Sequence, residues 1–320
     1  MSQFEHVTNV LHPDSIYAVD FTRDGVHFAT SSFDKKVRLY DAATLECERA
    51  MHTGANFMHA VAFDPDGARV ASGGKSLCLF DVKTHRRLKI KIKKFKGEMH
   101  GIVFTEDGTR AWIAGEGYLV CVDLTTGARI VDTKLDNRFF AMSASPDGSL
   151  LAAATSSGRI VILDAGRGQI LQDITGSGWL YQARFSPDGK WVWVSGDPHV
   201  IRAFDVATGA LASEVETRGH ARDFVFDPLD PDVVIGVFFN RYSRDCPNGG
   251  WVEAFDVSTG KSKWQSQLFA PGFTQALAIS PDGSMLVNGM QEVKGEVETF
   301  EGETATLDDG DMLMIWRREV

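Results

Sequence analysis

This 320-residue sequence predicts an all-β fold, a seven-bladed β-propeller with four antiparallel strands per blade, and three observations carry that expectation. An Asp-Gly turn signal recurs in FTRDGVHFATSS, FDPDGARVASGG, FTEDGTRAWIAG, ASPDGSLLAAAT, FSPDGKWVWVSG and ISPDGSMLVNGM, with FDPLDPDVVIGV as a variant. Those are seven copies, and Gly25, Gly67, Gly108, Gly148 and Gly189 follow one another at 40 to 42 residues, the spacing of a propeller blade. Every copy also repeats one internal grammar of strand, turn, strand, apolar strand ending in Asp, and a second turn.

The elements of a copy follow in order. An alternating segment such as IYAVDF or MHAVAF opens it as strand a. The Asp-Gly turn supplies the positive φ that a tight hairpin needs and leads into strand b. Strand c ends in an aromatic or aliphatic residue plus Asp, at Tyr40-Asp41, Phe80-Asp81, Val122-Asp123, Leu163-Asp164, Phe204-Asp205 and Phe255-Asp256. A turn at Gly127, Gly209 or Gly260 then begins the outer strand d. The copies read as repeats of about 11–51, 52–94, 95–134, 135–174, 175–215, 216–267 and 268–320 within one domain, 1–320. After Trp316 only four residues remain, so the last copy lacks strand d. Residues 3–10 are expected to supply it and to close the ring, which removes exposed sheet edges.

Composition narrows the function. The net charge of −10 weighs against a nucleic-acid partner. No stretch approaches the about 18 apolar residues of a membrane span, and the first residues carry no secretory pattern. Cys47, Cys78, Cys121 and Cys246 show no CxxC or CxxCH spacing, which removes zinc ribbons and c-type haem. A reducing, cytoplasmic setting is the expectation.

With the repeat laid out, residues 11–41, LHPDSIYAVDFTRDGVHFATSSFDKKVRLYD, closely resemble a WD repeat. The resemblance covers the chain copy by copy, and FSPDGKWVWVSGDPHVIRAFDVATG is equally similar to YVTN-type propellers and their lactonase and quinoprotein relatives. In the WD family a His, a Ser or Thr, an Asp and a Trp form a hydrogen-bonded tetrad. The resemblance implies that role here for His12, Thr30 or Ser32, and Asp34, with Tyr40 in place of Trp. It also implies a partner peptide at the channel mouth.

Aligning strand a across the copies places Tyr17, His59, His100, Phe140, Tyr181, Arg222 and Gln275 at one equivalent position, expected to ring the channel mouth. Aromatics and Arg are the residue types that dominate interaction hot spots. They also have the size to plug the channel, and an aromatic mouth suits a cationic side chain. His59 and His100 alone specify no metal, because a metal site needs three or four ligands. Two insertions fall between strands b and c: FFNRYSRDCPNGG, with Arg241, Tyr242 and Arg244, and an acidic segment over 291–310 with Glu298 and Glu301. Long loops on a rigid scaffold commonly carry recognition. A basic stretch, with Arg86, Arg87, Lys89, Lys91 and Lys93, reads as an outer strand d whose lysines guard an edge or face an acidic partner.

The expected function is a non-catalytic scaffold binding a protein or peptide on the long-loop face, without cofactor or metal. The chain is expected to act as a monomeric propeller or as a subunit of a hetero-complex. Two alternatives stay open: a channel-centred enzyme of lactonase, hydrolase or quinoprotein-like type, and a structural subunit of a larger assembly. The sequence has no GxSxG motif, and the mouth position holds no carboxylate.

Overall fold

The computed structural model describes residues 3–54, 58–90, 92, 95, 97–197, 199–239, 250–266, 273–291, 293–298 and 304–320. Among these residues there are strands and turns and no helix. The strands form antiparallel sheets, taken here in chain order. Sheet I joins Ile16–Phe21, His27–Ser32, Lys36–Asp41 and Cys47–His52; sheet II joins Ala60–Phe63, Arg69–Gly73, Leu77–Asp81 and Arg87–Leu88. Sheet III has six strands: Met99–Phe104, Arg110–Asp123, Arg129–Ala144, Leu150–Thr155, Arg159–Asp164 and Ile170–Thr175. Sheet IV joins Leu180–Phe185, Trp191–Gly196, Val200–Asp205 and Leu211–Glu216; sheet V joins His220–Asp227, Asp230–Phe239, Gly250–Asp256 and Ser262–Gln265. Sheet VI runs Phe273–Ile279, Met285–Gln291, Thr304–Arg317 and Glu5–His12.

Sheet III merges two of the repeats expected from sequence. Arg110–Asp123 pairs with Met99–Phe104 through its first half and with Arg129–Ala144 through its second, and Gly117 with φ of 79° stands between the halves. The third strand stays extended through Glu116↔Arg138 and goes on to pair with Leu150–Thr155. The chain therefore passes from one outer strand to the next inner strand without a break.

Local chemistry fixes the turns. In the Asp-Gly hairpins a Ser or Thr hydroxyl donates to the turn carboxylate, at 2.6 Å for Thr22 and Asp24, for Ser145 and Asp147, and for Ser280 and Asp282. These hydrogen bonds hold the carboxyls of Asp24, Asp147 and Asp282 below the usual carboxylate range. The glycine that follows has positive φ, 72° at Gly25 and 74° at Gly283. The Asp that ends strand c caps the next turn: Asp41 accepts the backbone N–H of Ala43 and Thr44 and the Thr44 hydroxyl. Asp123, Asp205 and Asp256 make the same kind of turn.

Packing is between sheets. One buried cluster unites Val37, Leu39 and Met51 of sheet I with Val70, Cys78 and Phe80 of sheet II. Others bridge II to III, III to IV, IV to V and V to VI. A further cluster joins Val287, Leu313 and Ile315 of sheet VI to Ile16, Phe28 and Tyr40 of sheet I. The innermost strands touch in succession: Ile16–Phe21, Ala60–Phe63, Met99–Phe104, Arg129–Ala144, Leu180–Phe185, His220–Asp227 and Phe273–Ile279, the last touching the first. At that junction a Cβ on Gly289 would stand 2.7 Å from the Ile16 side chain, so sheets VI and I meet at contact distance.

The outer strand of sheet VI is Glu5–His12, where 3–10 was expected, pairing with Thr304–Arg317 from Glu5↔Arg317 to His12↔Asp311. Phe4 is buried in the cluster with Trp316, its ring 5.8 Å from that of Trp264 and stacked on Arg318 at 4.5 Å. Arg318 forms a fully buried ion pair with Asp227, in the variant turn that lacks Asp-Gly.

The tetrad expected around His12 takes another form. Arg38 of strand c donates to His12 Nε2 at 2.9 Å and to Asp34 Oδ2 at 2.5 Å, while His12 Nδ1 donates to the Asp14 carbonyl at 3.0 Å. Ser32 joins through the Asp14 carbonyl. Tyr40, at the position expected for Trp, stacks on Phe28 at 4.7 Å. Burial, helped by the Arg38 charge, pushes the His12 pKa down to about 4.

Two outcomes follow. Deleting residues 1–10 strips the outer strand from sheet VI and exposes Trp316; the melting temperature is expected to fall by roughly 10 °C or more, with aggregation. An unchanged cooperative melt would show that this strand is dispensable. Neutral His12 stabilises the fold above pH 6.5, and that contribution is lost as pH falls toward about 4. The stability gap between the wild type and His12→Asn is therefore expected to narrow by about 2–3 kcal/mol between pH 7 and pH 4, measured by urea unfolding at each pH.

Candidate functional site

The innermost strands share one irregularity. Pairing steps from Ile16↔Ser32 to Ala18↔Ser31, which leaves Tyr17 as an extra residue, and the same slip isolates His100, Phe140, Tyr181, Arg222 and Gln275. These are β-bulges, which re-aim a side chain out of the regular alternation. His59 stands just before its strand, with its N–H bonded to the Gly73 carbonyl at 2.8 Å.

All seven residues singled out from the sequence line one cavity of about 470 Å³. They also touch one another in sequence around it. Tyr17 meets His59 edge-on at 5.2 Å, His59 meets His100 at 4.6 Å, and His100 meets Phe140 at 5.8 Å. Phe140 lies 6.4 Å from Tyr181, and the Arg222 guanidinium sits 4.6 Å over the Tyr181 ring. Arg222 Nε donates to Gln275 Oε1 at 2.9 Å, Gln275 Nε2 donates to Gln291 Oε1 at 2.6 Å, and the Tyr17 hydroxyl donates to the same Gln291 oxygen at 3.2 Å. The circuit closes through Gln291, a residue the sequence did not single out because it ends strand b rather than strand a. Two aromatics extend the mouth. Phe33 stacks on Tyr17 at 4.0 Å, and Trp179, 54% exposed, lies 5.9 Å from Phe140. An unburied Trp in the TGSGW loop was the available signal for the second.

The channel is more charged than the sequence predicts. Its lining includes Asp20, Glu98, Arg138, Arg184 and Asp223. The bulge changes the inward-facing parity of each strand, so residues beyond it, such as Asp20 and Asp223, face the channel and were missed by comparing one fixed position. Each carboxylate has partners. Asp223 accepts from Gln182 at 2.8 Å, from Arg184 at 3.2 Å and from the Leu277 N–H at 2.9 Å. Asp20 accepts the Phe63 N–H at 2.8 Å, yet burial raises its pKa to about 6. Glu98 bonds His59 Nε2 at 3.1 Å and lies 3.9 Å from Arg138, which also pairs with Glu116.

Ligand atoms of Glu98, His100 and Glu116 lie within 4.8 Å of one another, a grouping capable of holding a metal ion. Arg138 already places a positive charge on both carboxylates. Burial, with His59 as neighbour, pushes the His100 pKa down to about 3, and His100 Nε2 is buried without a partner. A second histidine pair sits at the rim: His220 bonds Asp197 through Nδ1 and meets His199 Nε2 at 3.3 Å through Nε2, and the Tyr181 hydroxyl bonds Asp197 at 3.2 Å.

The remaining expected sites divide. Arg241, Tyr242, Arg244 and Glu301 lie outside the described residues. Glu298 ends the strand Val293–Glu298, which pairs with Thr304–Arg317 from Val293↔Gly310 to Glu298↔Thr304, so the acidic insertion contains a β-hairpin. The basic strand corrects an expectation: among the described residues of this stretch only Arg87–Leu88 forms a strand, and Lys89 falls beyond it. Arg87 is held by the Thr53 carbonyl at 2.7 Å, while Arg86 and Lys89 are exposed. Ile90 packs inward against sheets II and III, which anchors the chain without a ladder. Lys91 and Lys93 are not among the described residues.

Comparison with known proteins adds the following. The family model described as "WD domain, G-beta repeat" matches residues 5–41, and one described as "Outer membrane protein assembly factor BamB" matches residues 115–278. A WD repeat-containing protein, SL1-17 of Schistosoma mansoni, is 25% identical over 162 residues, 50% of this chain and 54% of that protein. A guanine nucleotide-binding protein subunit beta of Oryza sativa subsp. indica is 23% identical over 325 residues, 91% of this chain and 82% of the relative. Transcription factor unc-37 of Caenorhabditis elegans is 28% identical over 166 residues, 50% of this chain and 25% of its own length.

Proposed function

Because this chain belongs to the WD-repeat β-propeller family, with a middle half of the repeat type described as outer membrane protein assembly factor BamB, we propose that it is a non-catalytic scaffold that docks a protein or peptide. The docking face is the channel mouth of a closed ring of seven blades. The observation that carries this reading is the closed circuit from Tyr17 through His59, His100, Phe140, Tyr181, Arg222 and Gln275 to Gln291. Rigid aromatics and Arg present large contact area at low entropic cost, and each is fixed here by its neighbours. Exposed Trp179 and the Phe33–Tyr17 stack enlarge the same surface.

Two features of the relatives and the site support the reading. One relative is by name a subunit, a member of an assembly, and it aligns along 91% of this chain. The acidic hairpin beyond Gln291 adds charge complementarity at the same end of sheet VI.

Affinity capture from native lysate tests this. A variant with His59, His100, Tyr181 and Arg222 all replaced by Ala, checked for a native melt, is expected to lose the proteins the wild type retains. Equal capture would overturn docking at the mouth. Excising residues 293–308 is expected to leave the fold intact and weaken capture, with a reduced dependence on salt.

A further inference from the structure

Three arginines line the channel, and their partners differ. Arg138 is paired with Glu98 and Glu116. Arg184 gives one Nη to Asp223 at 3.2 Å, and its Nε is buried with no partner. Arg222 donates only its Nε, to Gln275, and no carboxylate of the described residues forms an ion pair with it. Its guanidinium lies over the Tyr181 ring at 4.6 Å, and Arg222 lines the cavity with no hydrogen bond found for either Nη among the described residues. A guanidinium is a rigid fork matched to a carboxylate, and enclosing one without an anion is unfavourable. Burial accordingly works against the Arg222 charge and lowers its pKa.

The nearby carboxylates do not answer this charge. Asp223 is occupied by Gln182, Arg184 and backbone N–H groups, and burial disfavours ionisation of Asp20. Three aromatic rings of the mouth each have one face occupied: Tyr17 by Phe33, Phe140 by Arg138 at 5.8 Å and Tyr181 by Arg222. Two of those faces are already taken by arginines of the mouth itself.

We propose that the channel accepts an anionic side chain, the carboxylate of an aspartate or glutamate in a docked partner segment, with Arg222 as its two-pronged partner and Arg184 behind it. This rests on the mouth-docking reading and gives that reading its ligand chemistry. The aromatic circuit then serves as the wall around the ion pair, excluding water and strengthening it.

The probe is N-acetyl-glutamate methylamide, titrated into the whole protein at low ionic strength and followed by NMR shifts or calorimetry, beside the glutamine and lysine analogues and inorganic phosphate. The glutamate compound is expected to saturate and the glutamine and lysine compounds are not. Arg222→Gln is expected to weaken binding by roughly tenfold to a hundredfold, and Arg222→Lys, which keeps charge without the fork, by less. Equal binding of glutamine or lysine, tighter binding of phosphate, or an undiminished glutamate titration in Arg222→Gln would overturn the proposal. The wild-type comparison stands even if a variant fails to fold. Glutamate binding at Arg222 with capture from lysate undisturbed by the mouth variant would leave the anion site in place and remove the mouth as the docking face.

Discussion

A sheet with two apolar faces must be covered on both, and among the described residues only other sheets are available to cover them. Val37 and Leu39 of sheet I pack outward on sheet II, while Phe28 and Tyr40 of the same sheet pack on sheet VI. The strands in the middle of each unit are buried almost end to end, as in LLAAAT and RIVILD of sheet III. A stack of such sheets has two unprotected ends unless it curves back on itself. Ile16–Phe21 touches Phe273–Ile279, and Glu5–His12 pairs with Thr304–Arg317, so sheets I and VI cover part of one another. Stability is thus distributed over successive interfaces, each of which depends on the next.

The same arrangement creates the functional surface. Inner strands brought together around an axis present their starts to a common space, and the recurrent bulge puts an additional side chain into it. A regular strand would send Tyr17 or Arg222 toward a neighbouring sheet; the bulge turns it into the channel while Ile16 and Ala221 remain buried between sheets. Packing and display are thereby assigned to adjacent residues. The displayed residues are four aromatic or imidazole rings in succession, then a tyrosine with an arginine on its face, then two glutamines.

Much of the fold was legible because turn chemistry is local. The Asp-Gly pairs and the Asp that ends strand c act on N–H groups two or three residues away, so their meaning does not depend on the rest of the chain. The mouth residues were legible for a related reason: their offset from the end of strand a is constant through every bulge. What lies beyond the bulge was not. Asp20 and Asp223 change face only because pairing slips by one residue, an event set by tertiary contacts. The Arg38 link between His12 and Asp34 was hidden by a family pattern that assigns its place to a hydroxyl and a ring. In the basic segment, alternating in sequence, the strand ends at Leu88, and Ile90 packs at the junction of sheets II and III. Joining of two repeats in sheet III was likewise unreadable, since nothing in LDNRFF marks whether the chain stays extended between them.

The central claim is that the channel mouth, built from bulged strand starts, is the docking surface. Hydrogen–deuterium exchange of the protein alone and with its captured partner tests it most directly. The account predicts added protection at residues 16–18, 58–60, 99–101, 139–141, 180–182, 221–223 and 274–276. Protection confined to the outer strands, such as Cys47–His52 and Ile170–Thr175, or to the Asp-Gly turns, with the mouth unchanged, would contradict it.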